Sequence, residues 1–392
     1  MKNTVLLSGA RTPIGKLSGS LSAFSAAELG GFAITGALER GNIDPNQVDY
    51  VIMGQVLQAG TGQVTARQAA VRAGIPMSTP AITINKVCLS GLNAIYLAAQ
   101  MIEAGDADVV VAGGMESMTN APYLIPKGRS GYRYGNSEIL DVIQHDGLFC
   151  ALEKELMGEG TERYAASASI ARDIQDEIAA ESHFRASAAI SSAALRDEIV
   201  PVMIPQRKGD PIEFVVDEGV REGTDSANLG KLRPAFAESG NITAGNASQI
   251  SDGGSAIVVV SKTFADNHGV SPLASLISYG QVAGPDTSLL TQPSRAILKS
   301  LESVEVGLDD IDLFEINEAF AAVSAASMED LGISSEVVNI NGGAIALGHP
   351  IGMSGNRLAL TLAYALRRQG GGLGAAALCG GGGQGDALIM KV

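Results

Sequence analysis

Two of the three cysteines in this chain sit in settings unusual for a thiol. Cys88 lies in NKVCLSG, residues 85–91, between an apolar strand-like run, AITINKV, and a helix that starts near Ser90. A thiol at a helix N-terminus faces free backbone N–H groups and the positive end of the dipole, so its pKa should fall. Cys88 is therefore a candidate nucleophile; the other role open to it is that of a small buried apolar residue. Cys379 lies in LCGGGGQGDAL, residues 378–388, at the end of a second apolar run and against four consecutive glycines. Such glycines admit a close neighbour and offer backbone N–H groups to an anionic oxygen. No helix-forming stretch with Lys-Ser/Thr follows them, which argues against a phosphate-binding loop. His349, in NINGGAIALGHPIGMSGN, sits on a glycine-walled loop stiffened by Pro350 and can act as a base. Asn317, in FEINEAFAAV, ends a strand and can orient a water or an oxygen, with a helix cap as its other role. His145, His183 and His268 lie among polar residues and are given no part. Two thiols, an imidazole and an amide, each at a strand end or glycine loop, suit a nucleophile with a base beside it.

The elements that must carry these residues come in two echoing copies. QVDYVIMGQ (47–55) resembles DIDLFEINE (310–318), with Asp49 matching Asp312. Ser90-Gly91 matches Ser354-Gly355, and Gly105 matches Gly370, at a nearly constant offset. Each copy runs from a polar-ended strand to an SG turn, then a helix (LNAIYLAAQMIEAG or NRLALTLAYALRRQG), then a small-residue strand (DVVVAGG or LGAAALCGGGG). Apolar residues recur at helical spacing in both helices, and glycine stops them. The strands suit a sheet covered on both faces. These marks predict two α/β halves about a pseudo-twofold axis, with Cys88, His349, Asn317 and Cys379 at its centre. By the echo, Cys379 should occupy the strand end corresponding to Ala112-Gly113-Gly114. The expected divisions are 1–118, the first part of an N-terminal half; 119–250, an inserted loop domain plus the return to that half; and 251–392, the C-terminal half. The inserted segment is richer in charge, Gly and Pro, as in APYLIPKGRSGYRYGN, and holds an expected long helix over 160–195. It is expected to fold over the first half and shape ligand access.

Bulk properties narrow the classes. A chain of 392 residues, 46% hydrophobic, can bury two or three cores. A formal charge of −15 argues against a nucleic-acid or anionic-membrane partner, although a few local Lys and Arg could hold a phosphorylated ligand. An odd cysteine count without C-x-x-C points away from a disulfide framework and a zinc cluster, and towards free thiols in a reducing compartment. No basic and apolar leader and no uninterrupted apolar run of membrane-spanning length is visible, and MKV is not a peroxisomal tripeptide. The cytoplasm is the expected location.

The chain resembles the thiolase family, and within it the bacterial acetyl-CoA acetyltransferases. The likeness runs through ARTPIGKLSGSL, NKVCLSGLNAI, AGGMESMTNAPYL, LRPAF, NITAGNASQISDGGSA, EINEAFAA, NGGAIALGHPIGMSG and ALCGGGGQG, essentially the whole chain. It implies a duplicated, five-layered α-β-α-β-α fold with an inserted loop domain. It implies the reversible Claisen condensation of two acetyl-CoA to acetoacetyl-CoA and coenzyme A, by way of an acetyl-Cys88 thioester. By the resemblance, His349 would activate Cys88 and Cys379 would move the α-proton. Asn317 would hold a water that, with His349, binds the enolate oxygen. The N–H groups of Cys88 and Gly381 would hold the oxyanion at the acyl-enzyme stage. Ser248 would contact the pantetheine chain, Arg221 would lie near the nucleotide, and Met157 would border the acyl pocket. Leu148, Ala319 and Phe320 would also lie on the substrate side.

The resemblance further implies coenzyme A and acetyl-CoA as substrates, no permanently bound cofactor, no metal, a place in fatty-acid metabolism, and a homotetramer built as a dimer of dimers. Two positions depart from the family pattern. Leu89 stands where many relatives carry a small residue, and Leu156 where many short-chain enzymes carry His. Three rival readings are a thiolase for longer 3-ketoacyl-CoA chains, a decarboxylating ketosynthase, and a catalytically silent acyl-CoA- or sterol-binding relative. Cys379 argues against the second, and the intact Cys88, His349 and Cys379 argue against the third.

Overall fold

The structure is a computed structural model that describes residues 3–392. Its main strands are β1 (Thr4–Arg11), β2 (Tyr50–Gly54), β3 (Ala81–Ile84), β4 (Val109–Ser117), β5 (Ser251–Ser261), β6 (Ala274–Ala283), β7 (Leu313–Ile316), β8 (Leu373–Gly380) and β9 (Gln384–Lys391). The helices that frame them are α1 (Ala26–Gly41), α2 (Thr65–Arg72), α3 (Ser90–Ala104), α4 (Met157–Ser167), α5 (Arg172–Ser191), α6 (Gln292–Leu301), α7 (Ala321–Leu331) and α8 (Ser354–Arg368). The ten-stranded sheet runs β7-β8-β9-β6-β1-β5-β4-β2-β3, with Gly15–Lys16 beside β5.

Strand pairing carries the duplication. From β1 outward the contacts are antiparallel to β5, antiparallel to β4, parallel to β2 and parallel to β3. From β6 outward they are antiparallel to β9, antiparallel to β8 and parallel to β7, and Phe314 of β7 then bridges in parallel to Val338. Among the described residues the halves join edge to edge where Val5 pairs with Ser275 and Leu6 with Ala274.

Side-chain alternation builds the layers, because successive residues of a strand point to opposite faces. Val110, Ala112, Ile257 and Val259 face a middle core shared with Leu358, Leu362, Leu378 and Leu388 of the other half. Their neighbours Val109, Val111, Val258 and Val260 face a second core under α1 and α2. On the far side Phe314, Ile316, Ala375, Ala377, Ala387 and Ile389 face Ala296 and Ile297 of α6. Helices α3 and α8 pack on each other in the middle layer. This is the expected α-β-α-β-α arrangement. By length and composition Val87–Ala104 could cross a membrane, but it is the segment leading into and forming α3, inside this middle layer.

The structure differs from the sequence reading in three respects. The helix expected over 160–195 is two helices: Ser169, at φ +57°, breaks the run, and the Ser169 and Ile170 amides close α4 onto Ala166 and Ala165. The segment between β4 and β5 adds no strand to the main sheet, yet its α5 packs on α7 and on Ala344–Leu347 of the second half, so it straddles both halves. Strand β5, which begins where the second half was expected to start, lies between β1 and β4 in the middle of the first.

Candidate active site

Cys88 sits on a tight turn ahead of α3. Val87 takes φ +52° and donates its N–H to Asn85 Oδ1 at 2.9 Å. Ser90 Oγ accepts from the Lys86 N–H at 2.8 Å and donates to the Val87 carbonyl at 2.6 Å, closing the turn. The thiol is 4% exposed. Burial pushes it up to about 12, and the neighbouring Glu116 carboxylate adds to the rise. The expected lowering is therefore overturned: desolvation outweighs what the helix start supplies.

Glu116 escaped the sequence reading. It is buried at the end of β4 and accepts from the N–H groups of Val56 (3.0 Å), Leu57 (3.1 Å) and Gly352 (2.9 Å). Burial pushes its carboxyl up to about 7 against those hydrogen bonds. The available signal was a lone charge in the apolar run VVVAGGMESM.

His349 is held in one tautomer. Ser354 Oγ donates its proton to the Pro350 carbonyl at 2.9 Å, so at 2.6 Å it must accept from His349 Nδ1–H. Nε2 is thereby left with its lone pair, beside the Asn317 amide nitrogen at 3.5 Å. Burial, and then the charge of Arg357, push the imidazole down to about 3. At neutral pH it is an uncharged base.

Asn317 follows β7 and is fully buried, with no partner for Oδ1 among the described residues. Its place is set by Asn339, which pairs with both the N–H and the C=O of Ile316 at 2.9 and 2.8 Å. Asn339 also donates to Glu318, which accepts from Ser182 of α5 and from the Ile345 N–H. A helix cap is not its role, since α7 begins at Ala321.

Cys379 is 1% exposed near the end of β8, opposite Gly385. Met53 pairs with Gly113 while its echo Ile316 pairs with Ala377, so Cys379 falls at the Met115 position, one residue past the expected stretch. Burial raises its thiol, and Cys88 raises it further. The turns bearing the two thiols touch: a Cβ on Gly380 would lie 2.5 Å from Leu89 Cγ, and one on Gly381 would lie 3.4 Å from the Val87 methyls. Gly381–Gly383 form the β8–β9 turn, with Gly382 at φ +77° and Gly383 at φ +69°. The glycine run is thus first a hairpin that lets the two cysteine segments meet.

Among the expected substrate residues, Met157, Ala319 and Phe320 share one apolar cluster with Cys379. Ser248 is half-buried beside them, its N–H on the Ala319 carbonyl at 3.0 Å. Leu148 ends the helical turn Ile143–Leu148 and is not part of that cluster. Arg221 is exposed, and its N–H donates to His183 Nδ1 at 3.1 Å. His183 itself is buried and pushed down to about 4 by burial and then by Arg221, contrary to the polar setting expected for it.

A duplicated α-β-α-β-α fold with two buried thiols on touching turns and an oriented imidazole is an arrangement of the thiolase class. Residues 4–263 match the family model "Thiolase, N-terminal domain" and residues 270–392 "Thiolase, C-terminal domain". The chain belongs to the thiolase family and is an acyltransferase. Among named relatives, it is 54% identical over 391 residues to the "Probable acetyl-CoA acetyltransferase" of Mycobacterium tuberculosis, covering 100% of both chains. It is 47% identical over 392 residues to the "Acetyl-CoA acetyltransferase" of Cupriavidus necator, again covering 100% of both. The crystal structure of the Bacillus anthracis acetyl-CoA acetyltransferase matches with a TM-score of 0.97 at 39% identity, over 100% of this chain and 99% of that one.

Proposed function

We propose that this enzyme is an acetyl-CoA C-acetyltransferase that condenses two acetyl-CoA into acetoacetyl-CoA and coenzyme A, and runs the reverse thiolysis. The observation that carries this is the contact between the Cys88 turn and the Cys379 hairpin, together with an oriented His349 that burial keeps uncharged. His349 Nε2 takes the Cys88 proton as the sulfur attacks the first acetyl-CoA, and returns it to the departing coenzyme A sulfur. Cys379 then passes its own proton to His349 and, as a thiolate, removes the α-proton of the second acetyl-CoA. Burial makes that thiolate a strong base, which a weak carbon acid requires. The enolate attacks acetyl-Cys88, and the released sulfur recovers the proton held on His349. Each proton is thus accounted for. The N–H groups of Cys88 and Gly381 serve the acyl-stage oxyanion, and a water on Asn317 serves the enolate; one such donor is worth about 3 kcal/mol.

We further assign Met157, Ala319, Phe320 and Leu148 to the acyl side, and Ser248 and Arg221 to coenzyme A. No resident cofactor is required, and the proposed setting is fatty-acid metabolism in the cytoplasm. A homotetramer is supported by the exposed Tyr123, Ile125, Tyr132, Tyr134 and Ile139 of the inserted segment, and sedimentation checks it. Digestion after incubation with acetyl-CoA should yield one acetylated peptide, carrying Cys88. Cys379→Ala should still be acetylated while losing about 10²–10⁴-fold in condensation; loss of acetylation in that variant would reassign its role. Leu156, beside Met157, favours a second reading, a thiolase for longer 3-ketoacyl-CoA chains. Thiolysis rates across a chain-length series separate the two.

A further inference from the structure

One ionic contact joins the two segments that carry the thiols. Lys86 lies two residues before Cys88, and its Nζ stands 2.8 and 2.9 Å from the two carboxylate oxygens of Asp386. Asp386 is on β9, paired across the hairpin with Leu378, the residue before Cys379. Its side chain is fully buried, and that of Lys86 is 22% exposed. Tyr279 of β6 donates its hydroxyl to the same carboxylate at 2.8 Å, and its ring stacks on Tyr96 of α3 at 4.3 Å between centroids. Neither Lys86 nor Asp386 has a place in the proton path.

The Cys88 turn needs such an anchor. Val87 is β-branched and sits at φ +52°, a conformation that costs on the order of 1–3 kcal/mol and persists only where the surroundings impose it. Ser90 Oγ holds the Lys86 N–H from one side, and Asp386 holds its side chain from the other. Between these points Val87 and Leu89 rest on Gly381 and Gly380.

We propose that Lys86 and Asp386 are positioning residues for carbon–carbon bond formation: their ion pair fixes the Cys88 turn against the Cys379 hairpin and so sets the separation of the two sulfurs. The inference rests on the reaction proposed above. Acylation uses Cys88 and His349, whereas condensation needs both sulfurs in register, and a misplacement of about 1 Å can cost roughly 10²-fold. The pair therefore acts on one half-reaction and not on the other.

The test reads the halves separately. Exchange of labelled coenzyme A into acetyl-CoA reports acylation, and acetoacetyl-CoA formation reports the whole reaction. In Lys86→Met, condensation should fall at least about tenfold further than exchange, and Lys86→Arg should recover most of the loss. Because Lys86→Met leaves a buried carboxylate unpaired and threatens folding, the double variant Lys86→Met/Asp386→Leu is measured beside it; removing both charges spares stability. It should fold and show the same split. Equal losses in the two reactions, full condensation in the double variant, or its failure to fold would each overturn the proposal. A wild-type enzyme inactive in both reactions would overturn the proposed function instead.

Discussion

Burial decides the charge state of the residues proposed to react. Cys88 is pushed up to about 12 and His349 down to about 3, so between those limits the pair is a neutral thiol and a neutral imidazole. Below its pKa a thiol gains thiolate about tenfold per pH unit, and the thiolate is the species that reacts. Alkylation of Cys88 in the free enzyme by iodoacetamide should therefore keep rising from pH 7 to pH 10. A plateau below about pH 9 in peptide-mapped rates would show that the helix start, not desolvation, governs this thiol. Cys88, His349, Asn317 and Cys379 stand out as candidates in the sequence because each sits at a glycine loop or strand end, visible in a short window. Sequence reading misled on the direction of the Cys88 shift and missed Glu116, because both effects come from side chains that folding brings in from elsewhere.

At the scale of elements, the first half leaves a socket free of side chains for the loop that carries His349. A Cβ on Gly54 or Gly91 would lie 2.8 or 3.0 Å from the Gly352 carbonyl oxygen, and one on Gly114 would overlap it. The Gly352 N–H is meanwhile fixed by Glu116. Gly114→Ala should destabilise the protein by about 3 kcal/mol, at the upper end of ordinary overpacking, and lower activity by displacing His349. Thermal denaturation and acetyl transfer measure both; an unchanged melting temperature would refute the close fit. The echo between β2 and β7, α3 and α8, and β4 and β8 was legible because these elements share glycines and apolar spacing. The equivalence of β1 with β6 and of β5 with β9 was not: β1 is buried throughout whereas alternate residues of β6 are partly or fully exposed, and the buried β5 and β9 accept almost any apolar sequence. The break at Ser169 was invisible for another reason: Ala, Ser and Ile suit a helix interior well enough that local propensity gives no stop.

Over the whole molecule, buried charge ties the inserted segment to both halves. Arg11 of β1 meets Glu198 at 2.6 Å and Asp217 at 2.7 Å, all with fully buried side chains. Thr361 of α8 donates to the same Glu198 at 3.1 Å, and Asp217 accepts from the Ile14 N–H at 2.8 Å. Removing one partner of such a cluster strands the others without water. Arg11→Met should cost about 3–5 kcal/mol in chemical denaturation, far more than an apolar swap on that strand would otherwise cost. A loss below about 1 kcal/mol would mean that solvent reaches the carboxylates. Sequence reading found the segment but not its attachments, since Arg11, Glu198 and Asp217 carry no spacing that links them.

The sheet order also bears on how the chain is made. β9 lies between β6 and β8, yet both are translated before it. Until β9 leaves the ribosome, the edge of β6 that will receive it holds open backbone donors and acceptors, an invitation to pair with another nascent chain. Slow translation across the glycine hairpin would lengthen that vulnerable interval. Yield of native enzyme should thus respond to codon choice there more than to changes in the surface helices.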